Sequence, residues 1–224
     1  MNIEEIDSVL LKNKLLNDVA WTMPIIFQIT NETFEELKNL DNNKIGLLTK
    51  NQNTLFATIE IDKIETDVNL NKIANMWFGT DDTKHPGVSK FYEKGNIIIS
   101  GKPRLNIGNK HFGSQYKLTP KQTRELFNHN GWHDIIGFHT RNIPHKGHEY
   151  IQREALERYN ADAILISPVT GKKKSGDFNG DFIIECYNEL ITSGSYDPFE
   201  VVLSAFHTYS RYAGPKEALF TAIC

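Results

Sequence analysis

Three of the side chains that can pair with an anion stand out in the segment Phe138-His139-Thr140-Arg141-Asn142-Ile143-Pro144-His145-Lys146-Gly147-His148. They are Arg141, His145 and His148. The two histidines are three residues apart, so on a helix they occupy neighbouring positions of one turn, and Cα–Cβ bonds lean toward the helix N-terminus. A helix running from Pro144 to Tyr159 would aim both imidazoles at the preceding loop. Free backbone N–H groups and the positive end of the helix dipole would point the same way. Arg141 adds a planar fork suited to phosphate or sulfate, and Gly147 lets a ligand come close to the backbone. Two further segments repeat the bias: Lys172-Lys173-Lys174 between Gly171 and Gly176-Asp177, and Arg211-Tyr212-Ala213-Gly214-Pro215-Lys216. Taken alone the three lysines read as a solvated loop. Zinc fits the paired histidines poorly, because the His-Glu-x-x-His spacing is absent and no cysteine lies nearby. Cys186 reads as core packing. Cys224 and the isolated His85, His111, His129, His133 and His207 form no pattern.

The elements around these segments alternate strand and helix. Asp134–Phe138, Ala163–Ile166 and Phe199–Leu203 read as strands, each short and rich in branched or aromatic residues. Between and after them come helices at Pro144–Tyr159, Phe182–Ser193 and Pro215–Ile223. On the first, His148, Ile151, Ala155 and Tyr159 share a face; on the second, Ile183, Cys186 and Leu190 align before Gly194. Such repetition implies a parallel sheet with right-handed crossovers, in which ligands bind beyond the carboxyl ends of the strands. Upstream, Thr119-Pro120-Lys121-Gln122 opens a helix with an N-cap, an N1 proline and a capping-box glutamine. Before it, Pro24–Ile29, Leu55–Ile59 and Asn96–Ser100 read as strands and Asn31–Leu37 as a short helix. The expected division is a small, mostly β domain over 1–122 and an α/β domain over 123–224.

Composition narrows the class. The chain has 224 residues, 39% hydrophobic and 24% charged, with 25 Lys+Arg against 28 Asp+Glu and a pI near 6.2. A net charge of −3 disfavours a protein that coats nucleic acid or anionic membrane, and makes recurrent cations after successive strands a focused anionic-ligand site. Two cysteines make no disulfide framework. The acidic start Met1-Asn2-Ile3-Glu4-Glu5 does not read as a signal peptide, and no apolar run approaches the ~20 residues of a membrane span. A cytoplasmic protein is expected.

These segments together resemble the sulfate adenylyltransferase (ATP sulfurylase) family. Phe78-Gly79-Thr80-Asp81-Asp82-Thr83-Lys84-His85-Pro86-Gly87-Val88 is similar to a signature of its N-terminal PUA-like domain. Thr140 to His148 resembles its nucleotide-binding motif. Gly171 with Lys174, Gly176 and Asp177 resembles a second motif, and Arg211, Ala213-Gly214-Pro215 and Glu217-Ala218 a third. The resemblance implies an α/β protein: a PUA-like, mostly β domain followed by a partial doubly wound parallel nucleotidyltransferase domain of HUP type. It implies adenylyl transfer from ATP to sulfate, giving adenosine 5′-phosphosulfate and pyrophosphate, with Mg²⁺ accompanying the nucleotide and no tightly held protein metal. By the same analogy Arg141 holds sulfate and the α-phosphate, Thr140 and Asn142 orient the α-phosphate, and His145 and His148 stabilise the β- and γ-phosphates. His139, Gly147, Lys174, Asp177, Arg211, Ala213 and Gly214 complete the expected substrate contacts.

The sequence departs from the family pattern in three places. His139 stands where the family usually has Gln, and Ser167 where it usually has His. A protonated His139 would hold an anion more tightly, so anion binding should strengthen as pH falls. The family also continues past the position of Cys224 with another strand, a Gly-Arg-Asp-His-Ala-Gly segment and a further domain. Relative to it the chain is expected to be C-terminally truncated, with the strand at Ile135-Ile136 left at an open edge. Self-association or completion by another chain would cover that edge. Two other readings stand beside the first: a nucleotidyltransferase with a different acceptor anion, and a non-catalytic nucleotide-binding module completed by another chain.

Overall fold

The computed structural model describes residues 1–38, 43–49, 54–106, 114–171, 176–197 and 200–224. By contact the chain forms two compact units, one of Met1–Asn109 with Arg211–Ile223, the other of Lys110–Ser210 with Cys224. This grouping cuts the chain differently from a division at 122/123. The last helix and the segment leading into it belong with the N-terminal unit.

In that unit β1 (Phe27–Ile29), β2 (Lys44–Leu48), β3 (Leu55–Glu65) and β4 (Ile97–Leu105) form an antiparallel sheet in the order β1-β4-β3-β2. Four helices accompany it: α1 (Ile3–Lys12), α2 (Asn31–Lys38), α3 (Leu70–Phe78) and α4 (Pro86–Tyr92). Only α2 was expected from sequence. The other three nonetheless have legible starts. Asn2 and Glu5 close a reciprocal capping box on α1, Asn69 caps α3, and His85 caps α4 with Pro86 at N1. The sheet buries Ile29, Ile97 and Ile99 together, and the helices supply most of a second cluster. Ile6, Leu10, Ile73, Ala74, Trp77, Val88, Phe91 and Ile98 are buried together, with Ala213 and Phe220 from the C-terminal segment. That segment carries α8 (Pro215–Ile223). Phe220 meets Trp21 edge-on at 5.1 Å, and the Lys216 ammonium donates to the Leu10 carbonyl at 2.9 Å and to Asn13 at 3.0 Å.

The second unit begins with α5 (Pro120–Asn130), which has the expected capping box of Thr119 and Gln122 and ends on Gly131 in the left-handed region. Then β5 (Ile135–Thr140), β6 (Ala163–Pro168) and β7 (Val201–Leu203) pair in parallel in the order β5-β6-β7, joined by α6 (Lys146–Tyr159) and α7 (Gly180–Thr192). Among the described residues β5 pairs with β6 alone, which places it at an edge. Asp162 fastens the two strand starts together: its carboxylate accepts the His133 and Asp134 N–H groups at 2.7 and 2.9 Å. Those backbone bonds, Asp134's first, hold its pKa below the ordinary value.

The core of this unit is Ile164, Ile166, Ile183 and Tyr187, with Ile136, Phe138 and Leu156 against them. It changes the expected face of α6 and widens that of α7 around Ile183, with Leu190 half-buried. On α6, Ile151 and Tyr159 are exposed, and the inward position is Gln152, 1% exposed. On α7 the buried set is Gly180, Ile183, Ile184 and Tyr187, while Cys186 is half-buried. On α6 the inward position is polar, so a face drawn through apolar residues alone is turned away from it.

Candidate anion-binding site

The turn after β5 is built by three local bonds. Thr140, buried at the last position of the strand, accepts the Asn142 N–H on Oγ1 at 3.2 Å, which tightens the chain as it leaves the sheet. His145 is the N-cap of α6, with extended backbone, and its Nδ1 accepts the N–H groups of Gly147 at 3.1 Å and His148 at 3.4 Å. Two of the N–H groups expected to be free at this helix start are therefore already engaged by an imidazole. Gly147 is what makes room: a Cβ there would lie 3.1 Å from the His145 Cε1 and 3.2 Å from Nδ1. The same His-x-Gly device recurs in the N-terminal unit, where His85 Nδ1 accepts from Gly87 and Val88 at 3.2 and 3.4 Å. It is in the first place a way of starting a helix.

The cap has a chemical consequence. A neutral imidazole that accepts on Nδ1 carries its proton on Nε2. With Nδ1 occupied as an acceptor, Nε2 is the nitrogen of the exposed His145 left to meet a ligand. His148 stacks on it, ring centroids 3.7 Å apart and 24° between planes, and touches Phe138 edge-on at 5.4 Å. The pKa of His148 is pushed below the ordinary histidine value, first by burial, then by His145, with the Ile143 backbone working the other way. Two imidazolium rings face to face repel, which adds to burial in disfavouring the charged form of the His148 ring. A polyanion beside the pair would reverse that preference.

Thr140, Arg141, Asn142, His145, Gly147 and His148 are thus gathered on one turn, with His139 adjoining on β5. In the β5–β6 register His139 is paired with Ser167, so two positions that depart from the family pattern are cross-strand neighbours. The His139 ring meets Phe206 edge-on at 5.7 Å. After β6, Gly171 packs against the Thr208 backbone so closely that a Cβ would fall 1.9 Å from its carbonyl oxygen. Asp177 is half-buried in the same connection, whereas Lys172, Lys173 and Lys174 lie outside the described residues. Arg211, Ala213 and Gly214 fall by contact in the N-terminal unit. There Glu217 shapes them by accepting the Arg211 and Ala213 N–H groups at 2.7 and 3.0 Å. Among the described residues no group of three or more His, Cys, Asp or Glu is placed to hold a metal, and no helix is long and apolar enough to cross a membrane.

Sequence reasoning missed the polar group behind the turn. Gln152 on α6 and Tyr187 on α7 are buried almost completely, as is Tyr196 just after α7. The only sequence signal was Gln152 four residues after His148, on the same helix face.

Fold and turn together define a PUA-like unit followed by a parallel α/β nucleotide-binding unit. Residues 1–106 match the model of the PUA-like domain, and residues 114–224 match that of ATP-sulfurylase. The sulfate adenylyltransferase of Pyrococcus abyssi is 36% identical over 98% of this chain and 55% of its own length. That of Aeropyrum pernix is 38% identical over 96% and 55%, and that of Trichormus variabilis 33% over 100% and 55%. Among solved structures, a hexameric APS kinase from Thiobacillus denitrificans superposes with a TM-score of 0.69 at 15% identity, over 100% of this chain and 39% of that one; this supports the fold alone. The chain belongs to the ATP sulfurylase (sulfate adenylyltransferase) family. It spans about half the length of the curated relatives it matches.

Proposed function

We propose that the chain takes part in adenylyl transfer from ATP to sulfate, and that the turn from Thr140 to His148 receives the triphosphate. The carrying observation is the capped pair of histidines, His145 with its Nδ1 spent on its own helix and the His148 ring stacked upon it, in the turn that also carries Arg141. Sulfate is an anion at neutral pH and needs no general base. In the reaction one sulfate oxygen forms a bond to the α-phosphorus, the bond from that phosphorus to the bridging oxygen breaks, and pyrophosphate leaves with the electron pair. What the protein supplies is position and positive potential. In this reading Arg141 bridges sulfate and α-phosphate, Asn142 orients the α-phosphate, and His145 and His148 meet the charge that gathers on the leaving group. Thr140, engaged with the Asn142 backbone, shapes the turn as well as lining it. His139, Gly147, Lys174, Asp177, Arg211, Ala213 and Gly214 are assigned to substrate contacts.

Mg²⁺ enters in this reading with the nucleotide. It prefers oxygen ligands, and the turn offers imidazole and guanidinium, so phosphate oxygens are its natural partners. It would neutralise charge on the triphosphate while the protein's cations act beside it. Self-association, or assembly with another chain, is proposed to cover the edge of β5.

The test is pyrophosphate release from ATP with and without sulfate. Release that requires sulfate, and that falls roughly 10–100-fold in His145→Asn or His148→Asn, supports the reading. ATP binding without turnover would favour a nucleotide-binding module instead. A second reading, transfer to another oxyanion, is favoured by the His139–Ser167 register pair. Product analysis with alternative oxyanions separates the two.

A further inference from the structure

Behind the turn, polar side chains from three places meet inside an otherwise apolar core. Gln152, 1% exposed, lies one helical turn beyond His148 on α6. Its Oε1 accepts the Tyr196 hydroxyl. Tyr187, fully buried on α7, sets its hydroxyl beside Thr140 and Gln152, whose side chains partly offset the rise that burial imposes on its pKa. Neither closes a well-formed bond with it. The Tyr187 hydroxyl and the Gln152 amide nitrogen are left without a hydrogen-bond partner among the described residues.

A core chosen for stability alone would hold Phe and Leu here, since a buried polar group without a good bond is costly. What the polar pair does have is reach. Tyr187 adjoins Thr140, whose Oγ1 accepts the Asn142 N–H and so sets the path of the turn. Gln152 shares a helix face with His148. We propose that Tyr187 and Gln152 are positioning residues, holding the β5–α6 turn in its anion-receiving shape from behind while touching no substrate themselves. This deepens the function proposed above and rests on it for the identity of the anion.

The test sets stability against binding. Tyr187→Phe and Gln152→Met each remove the polar group at similar volume. Thermal midpoint, affinity for ATP and inorganic pyrophosphate, hydrogen exchange of the Asn142 amide and the His148 ring resonances are measured in each. The expected result is a midpoint unchanged or raised, affinity weakened by about tenfold, faster Asn142 exchange and shifted His148 resonances. Two variants on different helices guard against one that fails to fold. A lowered midpoint with unchanged affinity and exchange would show a purely structural cluster and overturn the proposal; so would unchanged values throughout. If the unmodified chain binds neither ATP nor pyrophosphate, the functional reading is what fails. The Asn142 exchange and the His148 resonances then still decide whether these side chains shape the turn.

Discussion

A single residue can serve structure and chemistry at once, and His145 shows how the two are separated. Its Nδ1 starts α6, which leaves Nε2 as the nitrogen for a ligand. His145→Ala loses both, at a cost of about 1 kcal/mol for the cap. His145→Asn keeps a good N-cap but removes the ring donor. Denaturant unfolding should therefore find the Asn variant near the parent in stability, while calorimetry finds its ATP affinity lowered by roughly tenfold or more. His148 makes a prediction about pH. Its folded pKa lies below the ordinary value, so below about 6.5 the unfolded chain takes up a proton that the folded chain resists. Stability should fall as pH drops through that window toward the folded pKa, and His148→Gln should flatten the decline in a pH series of melting curves. Polyphosphate binding should pull the other way, with proton uptake near neutrality measurable by calorimetry in buffers of different ionisation enthalpy.

At the scale of elements, the site depends on close backbone approaches that a sequence shows only as glycines. Gly147 leaves room for the His145 ring; Gly171 lets the connection after β6 lie against Thr208. Gly171→Ala places a methyl group where the Thr208 carbonyl stands. Stability should fall by about 1–3 kcal/mol, read from urea unfolding followed at Trp132. The α5 start makes a milder control: Thr119→Ala removes the capping box and should cost about 1 kcal/mol. Legibility followed physical locality here. Caps and strand–helix alternation are short-range, so α5, β5, β6, α7 and α8 could be read near their true positions. The inward places of Gln152 and Tyr187 could not, because what a core accepts there is decided by Tyr196 and Thr140, distant in sequence.

For the molecule as a whole, the packing of the last helix is the least local property. Helix α8 follows β7 in the chain but packs by contact in the N-terminal unit, through Phe220 on Trp21 and Lys216 on Leu10 and Asn13. Phe220→Ala should cost the N-terminal unit about 3 kcal/mol, and deletion of 211–224 should cost more. Both are measurable as a lowered melting transition and altered Trp21 emission. Anion affinity at a series of pH values probes His139: binding that strengthens toward low pH and flattens in His139→Gln would place that ring at the acceptor anion.

The sequence by itself determined the chemistry on offer, the parallel α/β unit and the family, because residue spacing on a regular helix or strand is dictated within a few residues. Only the tertiary structure decided that His145 spends one nitrogen on its own helix, that polar side chains back the turn, and that the last helix packs with the first unit. Those outcomes are set by burial and by partners far along the chain. Local propensity carries no trace of either.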